Sequence, residues 1–305
     1  MTREELNQQK QEEILNEERR EKRKKTTLFI LKLIGAIVVS FLFFYVYTTY
    51  VSSRIISVKE KRLINEKVPE SFNGLKVVQF SDLHFGTTVF VEEVENLVKN
   101  INSTNPDIVV FTGDLIDINY NLQTTEQEKL IKQLKKINAK LGKYAVSGDE
   151  DKDSFITIMN QSDFSVLDNN HELIYNNSTS PILLVGLGSL LNNNQDVKKS
   201  FSYFAMPTHN SNVFSITLAH EPDSIDYALE SYNTDLFLAG HSHNGTVRIP
   251  FVGGLYGVDG AKKYSSPYYK VNDTDLYISS GIGTTGPGFR LFCRPSINFF
   301  RISNK

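Results

Sequence analysis

Five short apolar runs in this chain stop at the same kinds of residue. The run Val77-Val78-Gln79-Phe80 is followed by Asp82 and His84, spaced Asp-x-His. A second run ends in Gly113, Asp114 and Asp117, and a third in Gly148, Asp149, Glu150 and Asp151. A fourth ends in His220, and a fifth in Gly240, His241 and His243. Carboxylate oxygen and imidazole nitrogen are donors that suit first-row divalent ions. In an extended exit from a strand, residues i and i+2 point the same way, so Asp82 and His84 are expected to aim at one point. One Asp-x-His alone reads as a turn aspartate beside a surface histidine. The recurrence is what points to a metal centre, and four of the chain's six histidines lie in these groups. Glycines 113, 148 and 240 permit the tight turns that bring such donors close together.

The elements that must position these donors alternate. The strand-like start at Lys76 leads to a helical pattern over 91–103, with Val91, Val94, Leu97, Val98 and Ile101 on one face. The run PDIVVFTGDLID precedes a helical stretch over 128–140. The strand KYAV follows, then a helical 155–162, and then strand-like SVLD, PILLVGLGS, NVFSITLA and TDLFLAG. Two further β-like runs, LYISSG and INFFRI, flank a Gly-rich basic loop near the end. Strands alternating with helices predict a layered α/β fold. In such sheets, sites assemble outside the carboxyl ends of strands, where all five groups fall.

Taken as an ordered set, these motifs resemble the calcineurin-like metallophosphoesterases, whose pattern is Asp-x-His, Gly-Asp-x-x-Asp, Gly-Asn-His-(Glu/Asp), His and Gly-His-x-His. The resemblance covers about Ile64 to Ile302, and the phrases LAHEPD and LAGHSHNGTVRIP look like the family's membrane-associated bacterial branch. It implies an α/β/β/α sandwich of mixed sheets. It also implies a two-metal centre of manganese, iron or zinc. Asp82, His84 and His243 would hold one ion, Asp149, His220 and His241 the other, and Asp114 would bridge them. Asp117 and Asp151 would support the ligands, with Asp117 and Glu150 the candidates for a direct part in catalysis. The implied reaction is hydrolysis of a phosphomonoester or phosphodiester by metal-activated hydroxide.

One block departs from that pattern. Asp149-Glu150 stands where the family has Asn-His. Asp149 can still ligate through oxygen. Glu150, in the place of a histidine that stabilises the transition state and protonates the leaving group, can donate a proton only if its own proton is retained by burial or by neighbouring acids. Otherwise the reaction needs a good leaving group or a supplementary cation, for which Arg290 and Arg294 are candidate substrate-binding residues. The alternative is a metal-binding pseudoenzyme that holds a phosphate ligand with little turnover.

Residues 28–51 (LFILKLIGAIVVSFLFFYVYTTYV) are apolar over the length that spans a bilayer, with only Lys32 charged. Tyr45, Tyr47 and Tyr50 cluster at the far end, as interfacial aromatics do. The organisation expected is therefore a charged tail over 1–27, solvated helix or disorder, and a transmembrane anchor over 28–51. A linker and first strand over 52–71 then lead to the phosphoesterase domain over 72–305. The tight basic cluster from Arg19 to Lys25 predicts a cytoplasmic amino terminus and an extracytoplasmic domain in the cell membrane. That location suggests a cell-envelope or lipid-linked phosphoester. A net charge of −2 advertises no nucleic-acid partner, and the lone Cys293 excludes an intrachain disulfide.

Overall fold

The structure is a computed structural model describing residues 2–206, 212–249, 252–254, 257–286 and 288–305. Pro250 of the LAGHSHNGTVRIP phrase, Pro287 of the Gly-rich loop and the side chain of Tyr50 lie outside the described residues. The chain divides into two units, one reaching Thr48 and one running from Thr49 to Lys305.

The first unit is a single helix, α1 (Arg3–Val46), of 44 residues, or about 66 Å at 1.5 Å per residue. Thr2 caps it: its hydroxyl accepts from the Glu5 N–H while the Glu5 carboxylate accepts from the Thr2 N–H. The charged 3–27 stretch is thus helical and continuous with the apolar segment. No residue of α1 is buried within the protein, and the helix is long and apolar enough to cross a membrane. A π-helical turn, Tyr47–Val51, follows.

The second unit holds two six-stranded sheets and a short hairpin. The first sheet contains β1 (Ser57–Ile64), β2 (Leu75–Phe80), β3 (Ile108–Thr112), β4 (Gly142–Val146), β5 (Ser165–Val166) and β14 (Ser296–Ser303), in the order β1-β14-β2-β3-β4-β5. The second contains β6 (Asn170–Ile174), β7 (Ile182–Gly186), β8 (Ser215–Leu218), β9 (Leu236–Ala239), β12 (Tyr268–Val271) and β13 (Thr274–Ile278), in the order β12-β13-β9-β8-β7-β6. The hairpin pairs β10 (Arg248–Ile249) with β11 (Gly253–Gly254). Both sheets are mixed. β2, β3, β4 and β5 run parallel, as do β7, β8, β9 and β13, while β14 is antiparallel to β2.

The helices of this unit are α2 (Val91–Ser103), α3 (Thr124–Leu134), α4 (Ser154–Gln161), α5 (Val197–Ser200) and α6 (Ser224–Leu229). Successive strand residues face opposite ways, so each parallel strand serves two cores. Val78, Phe80, Val109 and Phe111 pack under α2, α3 and α4. Val77, Ile108 and Val110 meet Leu184, Ile216, Leu218 and Leu238 between the sheets. Val185, Phe237 and Ala239 pack against Ile225 and Ala228 of α6. The layering is therefore helix, sheet, sheet, helix, as the resemblance implies.

One local expectation needs correction, and one strand was not foreseen. The helix expected over 128–140 ends at Leu134. Asn102 captures the next turn, with its amide donating to Lys136 O and its side-chain oxygen accepting from Asn138 N–H, which offers that backbone an alternative to the helix. The strand β6, reading NHELI, carries too little apolar alternation to be read in advance, and it pairs only with β7 at the sheet edge.

Candidate metal centre

All five groups emerge from the carboxyl ends of parallel strands on one edge of the two sheets. Asp82 and His84 follow β2, Asp114 and Asp117 follow β3, and Asp149, Glu150 and Asp151 follow β4. His220 follows β8, and His241 and His243 follow β9. The means of convergence differ from the expected extended exit. Asp82, His84, Asp114, His241 and His243 have φ of 49°, 42°, 61°, 65° and 47°, so each sits in the left-handed region. Left-handed backbone in non-glycine residues is sparsely populated and clusters at functional sites. Here it turns each strand end sharply into the centre.

The donors form two groups. In one, His84 Nε2 lies 3.1 Å from His243 Nε2, and His243 Nε2 lies 3.4 Å from Asp82 Oδ1. In the other, His220 Nε2 is 3.2 Å from Asp149 Oδ1, from Asp114 Oδ2 and from His241 Nδ1, and His241 Nδ1 is 3.1 Å from Asp149 Oδ1. Asp114 Oδ2 is also 3.7 Å from His84 Nε2, so it faces both groups. Gly113 and Gly148 allow this approach. A Cβ on Gly113 would stand 2.3 Å from His220 Nδ1, and one on Gly148 would stand 2.2 Å from Asp114 Oδ1.

This donor set fits divalent ions. Ligand atoms about 2.0–2.2 Å from one ion lie roughly 3.0–3.5 Å from each other, which is the spacing found in both groups. The tautomers agree. A carbonyl oxygen can only accept, so the 2.7 Å contact of His220 Nδ1 with Thr112 O and the 2.6 Å contact of His241 Nε2 with Asp259 O place a proton on those nitrogens. In the neutral rings, His220 Nε2 and His241 Nδ1 then present lone pairs to each other, an arrangement that calls for a cation between them. Asp149 Oδ1 is buried without a hydrogen-bond donor of its own.

The protonation equilibria tell the same story. Burial opposes ionisation of Asp149 and Asp114, yet His220 with His241 holds Asp149 well below the usual carboxylate range, and His220 with His84 holds Asp114 below it. Burial raises Asp82. Burial works against a charged imidazole at His220, yet Asp114 and Asp149 keep His220 well above its ordinary value. His243 is pushed well below its ordinary value by burial and by the charges of His84 and Arg290. Carboxylates that hold protons on their histidine neighbours in this way are short of positive charge.

The supporting acids have distinct places. The Asp151 carboxylate accepts from the N–H groups of Asp114, Leu115 and Gly148, tying the second and third ligand turns together; burial pushes it up to about 7. Asp117 Oδ1 accepts from Asn119 N–H. Glu150 Oε2 accepts from Ile118 N–H at 3.1 Å and lies 3.3 Å from His84 Nδ1. A cleft of about 180 Å³ opens over the two groups, lined by His84, Asp114, Asp149, Glu150, His241 and His243 with Thr246 and Thr285 on the rim. Neither Arg290 nor Arg294 is among the residues lining it.

Arg290 corrects its expected role. It is fully buried, and its guanidinium donates to the carbonyls of Ser280, Cys293 and Gly283. It braces the Gly-rich loop from behind rather than reaching a substrate. Arg294 is an exposed residue of the same loop whose carbonyl accepts from Ser280 Oγ. Sequence reasoning missed Thr112 and Asp259, because a backbone carbonyl leaves no trace in residue type. It also missed Gly281, at φ +67°, where a Cβ would stand 2.9 Å from both Asp82 Cβ and His243 Nδ1.

Residues 75–245 match the family model described as calcineurin-like phosphoesterase. The uncharacterized metallophosphoesterase YkuE of Bacillus subtilis is 31% identical over 268 residues, covering 85% of this chain and 90% of the relative. A transmembrane protein with a metallophosphoesterase domain from Danio rerio is 28% identical, over 76% of this chain and 54% of that protein. The UDP-2,3-diacylglucosamine pyrophosphatase LpxG of Chlamydia muridarum is 26% identical, over 61% of this chain and 69% of its own length.

Proposed function

The chain belongs to the calcineurin-like metallophosphoesterases, and on that premise we propose that it is a membrane-anchored phosphoric ester hydrolase with a two-metal centre. The observation that carries this reading is the spacing of seven donors, linked by contacts of 3.1–3.4 Å within two groups, with Asp114 of one group 3.7 Å from His84 of the other. Asp82, His84 and His243 would hold one ion, and Asp149, His220 and His241 the other. When bound, two divalent ions supply an acidified water and positive charge for phosphoryl oxygens. Manganese, iron and zinc all suit the mixed donors.

The chain's own residues set the kind of ester. No lysine or arginine is among the described residues lining the cleft, so bound ions would have to offset the phosphate's charge. No imidazole stands at position 150 to protonate a departing alkoxide. A leaving group that departs readily as an anion, such as a phosphate in a phosphoanhydride, asks least of such a site. The resemblance to LpxG, by its name a pyrophosphatase of UDP-2,3-diacylglucosamine, supports the same class and a lipid-linked envelope substrate. The helix α1, with its basic cluster before the apolar segment, supports a single-pass anchor with the amino terminus in the cytoplasm and the phosphoesterase outside.

Glu150 in place of histidine also favours one rival, a metal-binding protein without turnover. The test uses full-length protein in detergent. Metal content is measured beside hydrolysis of p-nitrophenyl phosphate, its bis ester and a nucleoside diphosphate sugar, with manganese added. Two ions per chain and fastest turnover of the phosphoanhydride are expected. Two ions with no turnover, and turnover appearing in Glu150→His, would instead establish the rival. Absence of bound metal would remove both readings.

A further inference from the structure

The four candidate histidine ligands are backed differently, and His243 Nδ1 is buried with no hydrogen-bond partner among the described residues. A metal-bound imidazole characteristically donates its second ring N–H to a carbonyl or carboxylate, which fixes its tautomer and raises its basicity. His220 has Thr112 O for this, and His241 has Asp259 O. His84 has no backbone carbonyl in that place. Its Nε2 faces the group with His243, so its proton belongs on Nδ1. That atom is buried and has no aligned hydrogen-bond partner, but the Oε2 of Glu150 lies 3.3 Å from it, off the N–H axis. Glu150 is itself fixed at both ends: its N–H donates to Asp114 Oδ1 at 3.1 Å, and its Oε2 accepts from Ile118 N–H.

We propose that Glu150 is a positioning residue, whose carboxylate accepts a hydrogen bond from the His84 Nδ1–H and so aims His84 Nε2 at the ion held with Asp82 and His243. The inference rests on the two-ion reading and changes the part played by Glu150 within it. A carboxylate engaged by one ring N–H and one backbone N–H supports a ligand; it is not arranged to hand a proton to a leaving group. It gives the buried half of the centre a charged outer partner where the other half has neutral carbonyls. The charge that the carboxylate adds behind His84 strengthens that ligand's hold on its ion.

The same three side chains admit one other occupant. His84, Asp117 and Glu150 each offer a ligand atom within 4.8 Å of one another, as a third ion would require. For an ion to sit there, His84 would have to bridge two metals through both nitrogens, losing its last ring proton. Donation to Glu150 needs no such loss.

The test is metal binding by the full-length protein, with no substrate present. Metal-free wild type, Glu150→Ala and Glu150→Gln are titrated with cobalt(II), following the visible ligand-field bands and the ions bound per chain. The wild type is expected to bind two ions. Glu150→Ala should bind one of them 10–100-fold more weakly with altered bands, while the other keeps its affinity. Glu150→Gln, whose amide oxygen still accepts, should recover most of the loss. Glu150→Ala also releases the Ile118 N–H that the carboxylate accepts, so thermal unfolding of the metal-free variants is followed in parallel; a loss of affinity confined to one ion is the signature of positioning, whereas a general loss of stability weakens both ions alike. Unchanged affinity for both ions in Glu150→Ala would overturn the proposal. So would three ions in wild type with one lost in both variants, which would make Glu150 a ligand. Failure of the wild type to bind any ion would instead sink the two-ion reading itself.

Discussion

The two halves of the candidate metal centre are built differently. The trio of Asp82, His84 and His243 is enclosed, with Asp82 and His84 fully buried. The quartet of Asp114, Asp149, His220 and His241 opens toward solvent through Asp149, whose side chain is 24% exposed, and through His241. The quartet's two histidines are pinned by main-chain carbonyls, which persist whatever residue supplies them. The trio depends on side chains: Glu150 behind His84, and Arg290 bracing the loop behind His243. Changes in sequence therefore reach the buried half more readily than the open one, and the one departure from the family pattern, Asp149-Glu150, touches both.

The sharpest way to break this distinction is to remove what the halves share. Asp114→Ala should drop the bound metal below two ions per chain and reduce hydrolysis by about 10³-fold, the scale of losing a major electrostatic stabiliser. Retention of both ions would mean the halves are independent. Gly113→Ala attacks the quartet through the backbone. At φ +87°, with a Cβ 2.3 Å from His220 Nδ1 and 2.7 Å from Gly148 N, it should cost about 1–3 kcal/mol in strain alone. The melting temperature should fall by several degrees and His220-dependent metal binding should weaken. A variant that melts like wild type would show that the turn has room to relax.

A chelator sharpens the comparison without mutation. Loss of metal on adding EDTA should have two phases, the open quartet emptying before the enclosed trio, as read by metal analysis of desalted samples over time. A single phase would make exposure irrelevant to exchange. The smallest effect on the centre is expected from Arg290→Ala. It strands three buried carbonyls and should destabilise the protein by about 2 kcal/mol. Because the braced loop donates the Ile282 and Gly283 N–H groups to Asp82 O, the trio's affinity should fall a few-fold while the quartet's holds. A rise in KM for the phosphoester as the main effect would restore Arg290 to substrate binding.

The layered fold and the grouping of the seven candidate donors were legible because both rest on residue type at strand ends. The parallel strands are short apolar runs, and the acids and histidines stand directly after them. The geometry that joins the donors was not legible. Asp82 and His84 converge through two left-handed residues rather than by alternation along a strand, and the left-handed state of aspartate or histidine has no signature in sequence. Arg290 shows a second limit. An arginine in a Gly-rich stretch reads as solvent-facing or anion-binding, yet its two terminal nitrogens donate to three carbonyls in the core. The helix over 3–27 was open to two readings because its charges allow either state, and the structure carries it straight into the apolar span.

The place of β14 has a consequence in time. It lies inside the first sheet, parallel to β1 on one side and antiparallel to β2 on the other, and Asn298 bonds to Gln79 across 219 residues of sequence. A ribosome delivers β1 and β2 long before the strand that belongs between them. Until it arrives, β1 has no partner strand and one edge of β2 is unpaired. Closure of the sheet therefore waits for translation to reach Ser303, and contacts so distant in sequence make for slow folding. If the domain crosses the membrane unfolded behind its anchor, that delay keeps it loose enough to pass. Assembly of the donors at the sheet's edge then belongs to the far side.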